Sequence, residues 1–140
     1  MKATASGRTN IARLLIGLVL FFNLQAAVLF IFNPAAFTAG FEVSGIVGEK
    51  LVQGMGILFL MWNVPYAFAW MHPIRHRTSL IQAVIMQAIG VAGESILWLT
   101  LPFGHAAMES TVQRFTAFDG GGLVALLIAL WITRPRASRL

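Results

Sequence analysis

Four long apolar stretches, separated by short polar segments, constrain the fold of this chain more than any other feature of its sequence. Each is close to the ~20 apolar residues that an α-helix needs to cross the hydrocarbon of a bilayer. Pro34, Pro73 and Pro102 follow the first three stretches, and proline disfavours helical geometry in the residue before it. The sequence therefore predicts an all-α fold, a single-domain integral membrane four-helix bundle. The predicted helices cover about residues 13–32, 51–71, 79–101 and 115–133.

The composition excludes a water-soluble protein. Of the 140 residues, 58% are hydrophobic and only 11% are charged, against about 25% charged residues in soluble domains. A chain this short cannot bury so much apolar surface within itself, so lipid must cover the rest. The absence of cysteine excludes disulfides, thiolate catalysis and Cys-based metal sites. The first apolar stretch exceeds the ~7–15 residues of a signal-peptide core, so we expect it to be retained.

The basic residues predict the orientation of the chain in the membrane. The formal charge of +5 would suggest nucleic acid as the partner of a soluble protein, but here the basic residues flank apolar stretches, so we expect no nucleic-acid partner. The positive-inside rule places the side richer in Lys and Arg in the cytoplasm. We therefore predict a multi-pass protein of the inner (plasma) membrane with both termini cytoplasmic. The cytoplasmic set is Lys2, Arg8, Arg13, Arg75, Arg77, Arg134, Arg136 and Arg139, and the external set is Lys50 and Arg114.

Polar and small residues in the last three stretches recur three or four positions apart, which places them on one face of each helix. We expect these faces to point into the bundle, because a polar side chain in hydrocarbon needs a partner. Small residues beside the polar ones would let the helices pack closely. The three faces are Glu49, Gln53, Gly56, Leu60 and Asn63; Ala83, Gln87, Gly90, Glu94 and Trp98; and Asp119, Gly122, Leu126 and Ala129.

Alignment of the second and third helices by depth predicts a polar pocket that opens to the external side. The alignment brings Asn63 level with Gln87, so we predict a hydrogen bond between them. It also brings Gly56 level with Glu94, which leaves room for the carboxyl group. The candidate ligand-binding residues are Glu94, Asp119, Asn63, Gln87, Gln53, Asn23, Tyr66 and Arg114.

Glu94 is the central residue of this hypothesis, because a carboxylate in hydrocarbon must be paired or must hold its proton. Arg114 and Lys50 are the candidate cations. In one interpretation Glu94 serves a ligand, a proton or a substrate. In the other, Glu94, Asp119 and Arg114 form a charge network that locks the third and fourth helices together. For Gln53, Asn63 and Gln87, hydrogen bonding between helices is the favoured interpretation.

No catalytic motif is present: the sequence has no phosphate-binding glycine loop, nucleophile elbow, His-Glu-x-x-His or histidine pair for haem. Its few histidines predict no metal site, and no cofactor can be named from the sequence. We expect an accessory or small-ligand-binding membrane subunit in contact with lipids. One alternative is a lipid-modifying or quinone-interacting enzyme that uses Glu94 and Asp119. Another is a small-solute or proton-coupled transporter, which would need an oligomer because four helices are few to enclose a path.

The layout of the first half of the chain resembles the DoxX-like group of small four-helix bacterial membrane proteins. The resemblance rests on the first helix leading into Asn33-Pro-Ala-Ala-Phe37, a glycine-containing external loop and a glycine-rich second helix. Members of that group are associated with membrane oxidoreductase complexes. The resemblance therefore implies an accessory membrane subunit, as a homo-oligomer or within a larger complex.

Overall fold

The described part of the chain is helical and contains no strand. The computed structural model describes residues 2–135, with side chains from residue 6 onward, so Arg136, Arg139 and the side chain of Lys2 lie outside it. These findings confirm the all-α bundle. The long helices are α1 (Lys2–Phe32), α3 (Gly45–Met71), α4 (Arg77–Thr100) and α5 (Ala106–Ile132), and a short helix α2 (Ala35–Thr38) precedes a 3₁₀ turn (Ala39–Phe41).

Each long helix is long and apolar enough to cross a membrane. Within the most apolar window of each helix, only 17% to 28% of residues are buried inside the protein. Most apolar side chains therefore face outward, where only lipid can cover them without cost. The protein is accordingly a multi-pass membrane protein.

The helices begin earlier than the hydropathy of the sequence predicts. α3 begins at Gly45 and α5 at Ala106, because charged residues are accommodated near the start of a helix although they interrupt an apolar stretch, as Glu109 is in the first turn of α5. The segment between α1 and α3 also contains regular helical structure and is not only a loop. Pro34, whose fixed φ suits a helix start, leads into α2.

The four long helices form a ring in the order α1, α3, α4, α5. α1 packs most extensively against α3, and α4 against α5, whereas the α3–α4 contact is the smallest of the four. At Gly56, an added Cβ would lie 2.8 Å from Phe30 Cβ and 2.9 Å from the Ala27 carbonyl oxygen. Gly56 therefore brings α3 against α1, and the prediction that it makes room for Glu94 is wrong.

Basic side chains lie together at one end of the bundle, which we call the basic end. There Arg13 Nε donates to the Trp70 carbonyl oxygen at 3.1 Å, and Arg77 Nη1 to that of Leu130 at 3.4 Å. The Arg13 guanidinium also lies 5.7 Å from the Trp70 ring centroid. Arginine and tryptophan together are typical of a membrane–water interface.

The two halves of the bundle are filled differently. The half nearer the basic end, the packed half, has a core of small and aliphatic side chains. The other half, the open half, contains stacked and edge-on phenylalanine rings around Phe30. The packed core consists of Ala12, Ile16, Val19, Leu20, Tyr66, Ala69, Leu80, Ala83, Leu126 and Ala129.

Candidate functional site

A cavity of about 380 Å³ lies in the open half, where α1, α3, α4 and α5 meet. Part of its wall is aromatic: Phe59, Trp62, Phe115 and Phe118 line it. It also brings together six of the eight residues that the sequence predicts as ligand-binding candidates. These six are Asn23, Asn63, Tyr66, Gln87, Glu94 and Asp119.

A chain of hydrogen bonds, the polar chain, runs through Tyr66, Gln87 and Asp119 and connects α3, α4 and α5. The Tyr66 hydroxyl donates to Gln87 Oε1 at 2.6 Å, and Gln87 Nε2 donates to Asp119 Oδ1 at 3.0 Å. Gln87 is only 3% exposed. Because every donor in the polar chain has a protein acceptor, these three side chains hold one another in place.

Two glycines let the polar chain form. An added Cβ at Gly90 would lie 2.5 Å from Asp119 Oδ2, and one at Gly122 would lie 2.7 Å from Gln87 Nε2. Both positions belong to the helix faces that the sequence predicts to point inward. The close approach of α4 and α5 therefore depends on the absence of a side chain at these positions.

The predicted Asn63–Gln87 hydrogen bond is wrong. Asn63 Nδ2 donates to the Phe59 carbonyl oxygen of its own helix at 2.6 Å, while Gln87 is engaged by Tyr66 and Asp119. Tyr66, about one turn nearer the basic end than Asn63, is the residue that lies level with Gln87. Asn63 Oδ1 is consequently buried without a hydrogen-bond partner.

Glu94 lies half-buried at the cavity, and its Oε2 atom is buried without a hydrogen-bond partner. The two cations proposed for it are engaged elsewhere. Lys50 Nζ donates to Gln53 Oε1 at 2.9 Å, and Arg114 donates to the Ser110 carbonyl oxygen and to Thr111 Oγ1. Within residues 6–135, the charge network of Glu94, Asp119 and Arg114 does not form.

Gln53 and Arg114 are the two predicted candidates that do not line this cavity. Gln53 Nε2 donates to the Ile31 carbonyl oxygen at 2.9 Å, so the interhelical hydrogen bond expected of Gln53 is confirmed, towards α1. Arg114 lines a neighbouring cavity of about 550 Å³. Phe115 and Phe118 line both cavities and lie between them.

The aromatic part of the cavity wall is not predicted from the sequence. Hydropathy alone does not distinguish an inward phenylalanine from one that faces lipid. One signal was present for α5: Phe115 precedes Asp119 by four residues and therefore shares its helix face. No comparable signal separates Trp62 from its apolar neighbours on α3.

The rim of the cavity runs along the side of the bundle. Three of its lining side chains are well exposed, namely Trp62 (51%), Ile89 (65%) and Leu97 (59%). All three belong to α3 and α4, the neighbouring helices with the least mutual contact. The cavity therefore reaches the surface of the bundle in the seam between these helices.

A second polar contact, the Glu42–His105 contact, lies at the end of the bundle opposite the basic end. Glu42 Oε2 is 2.5 Å from His105 Nδ1, and Glu42 Oε1 accepts a hydrogen bond from the Met108 backbone N–H at 3.2 Å. The hydrogen bond with His105, followed by that from Met108, lowers the pKa of Glu42 below its ordinary value of 4.5. This contact fastens the segment before α3 to the start of α5.

The described side chains contain no group of three or more His, Asp or Glu residues that could hold a metal ion. Comparisons with protein families, with curated proteins and with solved structures give no match for this chain. The resemblance to the DoxX-like group therefore stays a prediction.

Proposed function

We propose that this protein binds a small ligand in the cavity between α1, α3, α4 and α5. The observation that carries the proposal is that Asn63 and Glu94, which both line this cavity, each have a buried oxygen without a hydrogen-bond partner, Oδ1 and Oε2 respectively. A buried polar atom without a partner costs roughly 1–3 kcal/mol. A ligand that supplies hydrogen-bond donors removes this cost. Aromatic walls with a few polar groups are also typical of small-molecule sites.

The ligand enters from the lipid, through the seam between α3 and α4. The exposed rim residues Trp62, Ile89 and Leu97 support this route, and the small α3–α4 contact makes this seam the easiest to widen. We propose this lateral route in place of an opening towards the external solution. It favours a ligand that partitions into the membrane.

The basic end faces the cytoplasm of a bacterial-type cell, with the protein in the inner membrane. The shared position of Arg13, Arg77 and their carbonyl partners at one end supports this orientation. Because the chain has no cysteine, single cysteines report it directly. Ala107→Cys should react with an impermeant maleimide in intact cells, and Ile74→Cys only after permeabilisation. The reverse pattern would contradict the orientation.

The ligand-binding proposal is tested by native mass spectrometry of the protein extracted with its surrounding lipid. Gly93→Phe places a ring at the cavity wall, where an added Cβ meets nothing within 4 Å. Gly54→Phe is the matched control, since its Cβ is equally unobstructed and Gly54 does not line the cavity. A small-molecule adduct should accompany the wild type and Gly54→Phe but not Gly93→Phe. Equal adducts in all three proteins, or none in the wild type, would contradict the proposal.

The lining favours a binding role over quinone chemistry at Glu94 and Asp119. Quinone carbonyl groups need hydrogen-bond donors, whereas the buried atoms without partners at this lining, Asn63 Oδ1 and Glu94 Oε2, are both acceptors. A role as an accessory subunit or homo-oligomer is compatible with ligand binding. The mass of the intact assembly in the same experiment reports it.

A further inference from the structure

We infer that the ligand of this cavity is a small amphipathic organic cation with an ammonium group, held between Glu94 and Asp119 and enclosed by aromatic rings. The inference rests on the proposed function, since it names the class of ligand for that site. Three independent features of the lining residues carry it: their charges, their buried acceptors without partners and their rings.

The charges of the wall are all of one sign. Glu94 from α4 and Asp119 from α5 both line the cavity, and no Lys, Arg or His does so among the described residues. Lys50 and Arg114 are bonded to other groups outside it. Carboxylates withdrawn from water are stable only when a positive charge or a proton accompanies them. A cationic ligand supplies that charge from the membrane side.

Among the described residues, the buried side-chain atoms without a hydrogen-bond partner are both acceptors, Asn63 Oδ1 and Glu94 Oε2. Asn63 is 4% exposed; its amide nitrogen donates to the Phe59 carbonyl oxygen, whereas its Oδ1 atom has no partner. Tyr66 and Gln87 likewise direct their donors to protein acceptors. An ammonium group carries donors and no acceptor, so it complements Asn63 Oδ1 and the Glu94 carboxyl group. An anionic ligand would meet the same oxygens with its own.

The aromatic rings suit the apolar part and the charge of such a ligand. The ring centroids of Phe59 and Trp62 are 6.3 Å apart, as are those of Phe59 and Phe115, so the rings form a continuous wall. A cation over an aromatic face is attracted by the negative face of the ring, and the attraction is stronger when the cation is withdrawn from water. A volume of about 380 Å³ is near the lower limit for small-molecule pockets. It limits the ligand to about one ring with a short substituent.

Three probes of similar shape test the inference: phenethylammonium, propylbenzene and phenylacetate. They are positive, neutral and negative respectively, and propylbenzene replaces the ammonium group with methyl. Each is titrated calorimetrically into the full chain in nanodiscs of uncharged lipid, with the heat from empty nanodiscs subtracted. We expect phenethylammonium to bind at least about tenfold more tightly than propylbenzene, and phenylacetate to bind most weakly.

Variants test whether Glu94 and Asp119 cause the preference for the cationic probe. Glu94→Gln and Asp119→Asn should each weaken phenethylammonium binding about tenfold and leave propylbenzene binding unchanged. Glu49→Gln, the matched control outside the cavity, should change neither. Gly93→Phe should weaken the binding of both phenethylammonium and propylbenzene. Circular dichroism confirms the fold of each variant, and the second acid gives an independent result if one variant does not fold.

The outcomes separate the ligand class from the binding function. Equal binding of phenethylammonium and propylbenzene, with both sensitive to Gly93→Phe, would overturn the cation and keep the cavity as a ligand site. Tighter binding of phenylacetate would also overturn the cation. If no probe binds in a manner that depends on Gly93, both the ligand class and the proposed function are wrong.

Discussion

The packed half and the open half of this bundle are built from the same four helices but solve the packing problem in opposite ways. In the packed half, Ala12, Ala69, Ala83 and Ala129 are fully buried, and their small side chains let the helices approach closely. In the open half, phenylalanine rings hold the helices apart and leave two cavities. Since lipid is as apolar as the helices, close packing stabilises a membrane bundle more than hydrophobicity does.

Tyr66 belongs to both halves and marks the boundary between them. Its ring packs in the core of the packed half, and its hydroxyl donates to Gln87 at the cavity wall. The polar chain of Tyr66, Gln87 and Asp119 therefore forms the floor of the cavity. We therefore expect the packed half and the polar chain to supply most of the stability, and the open half to provide the space for the proposed ligand.

The largest expected effect contrasts the same substitution in the two halves. Leu126 is fully buried in the packed half, whereas Leu97 is 59% exposed at the cavity rim. Leu126→Ala should lower the free energy of unfolding by about 2–5 kcal/mol, because it creates a void among immobile neighbours. Leu97→Ala should cost under about 1 kcal/mol. Denaturant titration in mixed micelles measures both, and similar losses would show that the two halves are equally well packed.

The next effect concerns the floor of the cavity. Gly90→Ala places a Cβ 2.5 Å from Asp119 Oδ2, whereas the Cβ of Gly93→Ala meets nothing within 4 Å. Gly90→Ala should therefore destabilise the protein by about 1–3 kcal/mol through overpacking. Gly93→Ala should be neutral or stabilising by up to about 1 kcal/mol, because alanine is the better helix former. Thermal unfolding in the same detergent measures the stability of both variants. Equal unfolding temperatures would contradict the close approach at Gly90.

The fold and most of the site follow from the sequence because each rests on a local pattern. Apolar stretches of spanning length predict the helices, and residues three or four positions apart predict the inward faces. These patterns predict that Gln87, Glu94 and Asp119 lie on the inward faces of their helices. They depend only on positions within single helices, which helix geometry fixes.

The contacts that are wrongly predicted for the site all concern relations between helices. Aligning α3 and α4 from their ends paired Asn63 with Gln87, but the longer helices and their relative shift bring Tyr66 to Gln87 instead. The sequence predicts that Gly56 leaves room for the Glu94 carboxyl group, but Gly56 faces α1. Hydropathy carries no information on which neighbour a face meets, so the register and neighbours of packed helices could not be predicted from one sequence.

A smaller effect is expected from removing the hydrogen bond between Tyr66 and Gln87, at the boundary between the halves. Tyr66→Phe removes the hydroxyl that donates to Gln87 Oε1, and it should lower the free energy of unfolding by about 1 kcal/mol, the usual range for such bonds between membrane helices. In a Gln87→Leu background the same substitution should cost less, since only the more distant Ala83 carbonyl oxygen, at 3.2 Å, remains as an acceptor. Equal costs in both backgrounds would show that Tyr66 contributes through packing alone.

The smallest expected effect lies at the end of the open half, in the Glu42–His105 contact. The pKa of Glu42 is lowered in the folded protein, so the carboxylate stabilises the contact at pH above its unfolded pKa. That stabilisation is lost as the pH falls through the lowered, folded pKa.

At neutral pH, Glu42→Gln should therefore increase backbone hydrogen exchange at Met108, whose N–H donates to Glu42. The difference from the wild type should disappear in acid, below the pKa of the folded carboxyl group. Glu49→Gln removes the same charge at the same end and should leave exchange at Met108 unchanged at every pH. No difference between Glu42→Gln and the wild type at any pH would mean that the loop is held by the packing of its phenylalanines. The open half would then owe its closure at this end to rings alone, as the cavity wall does.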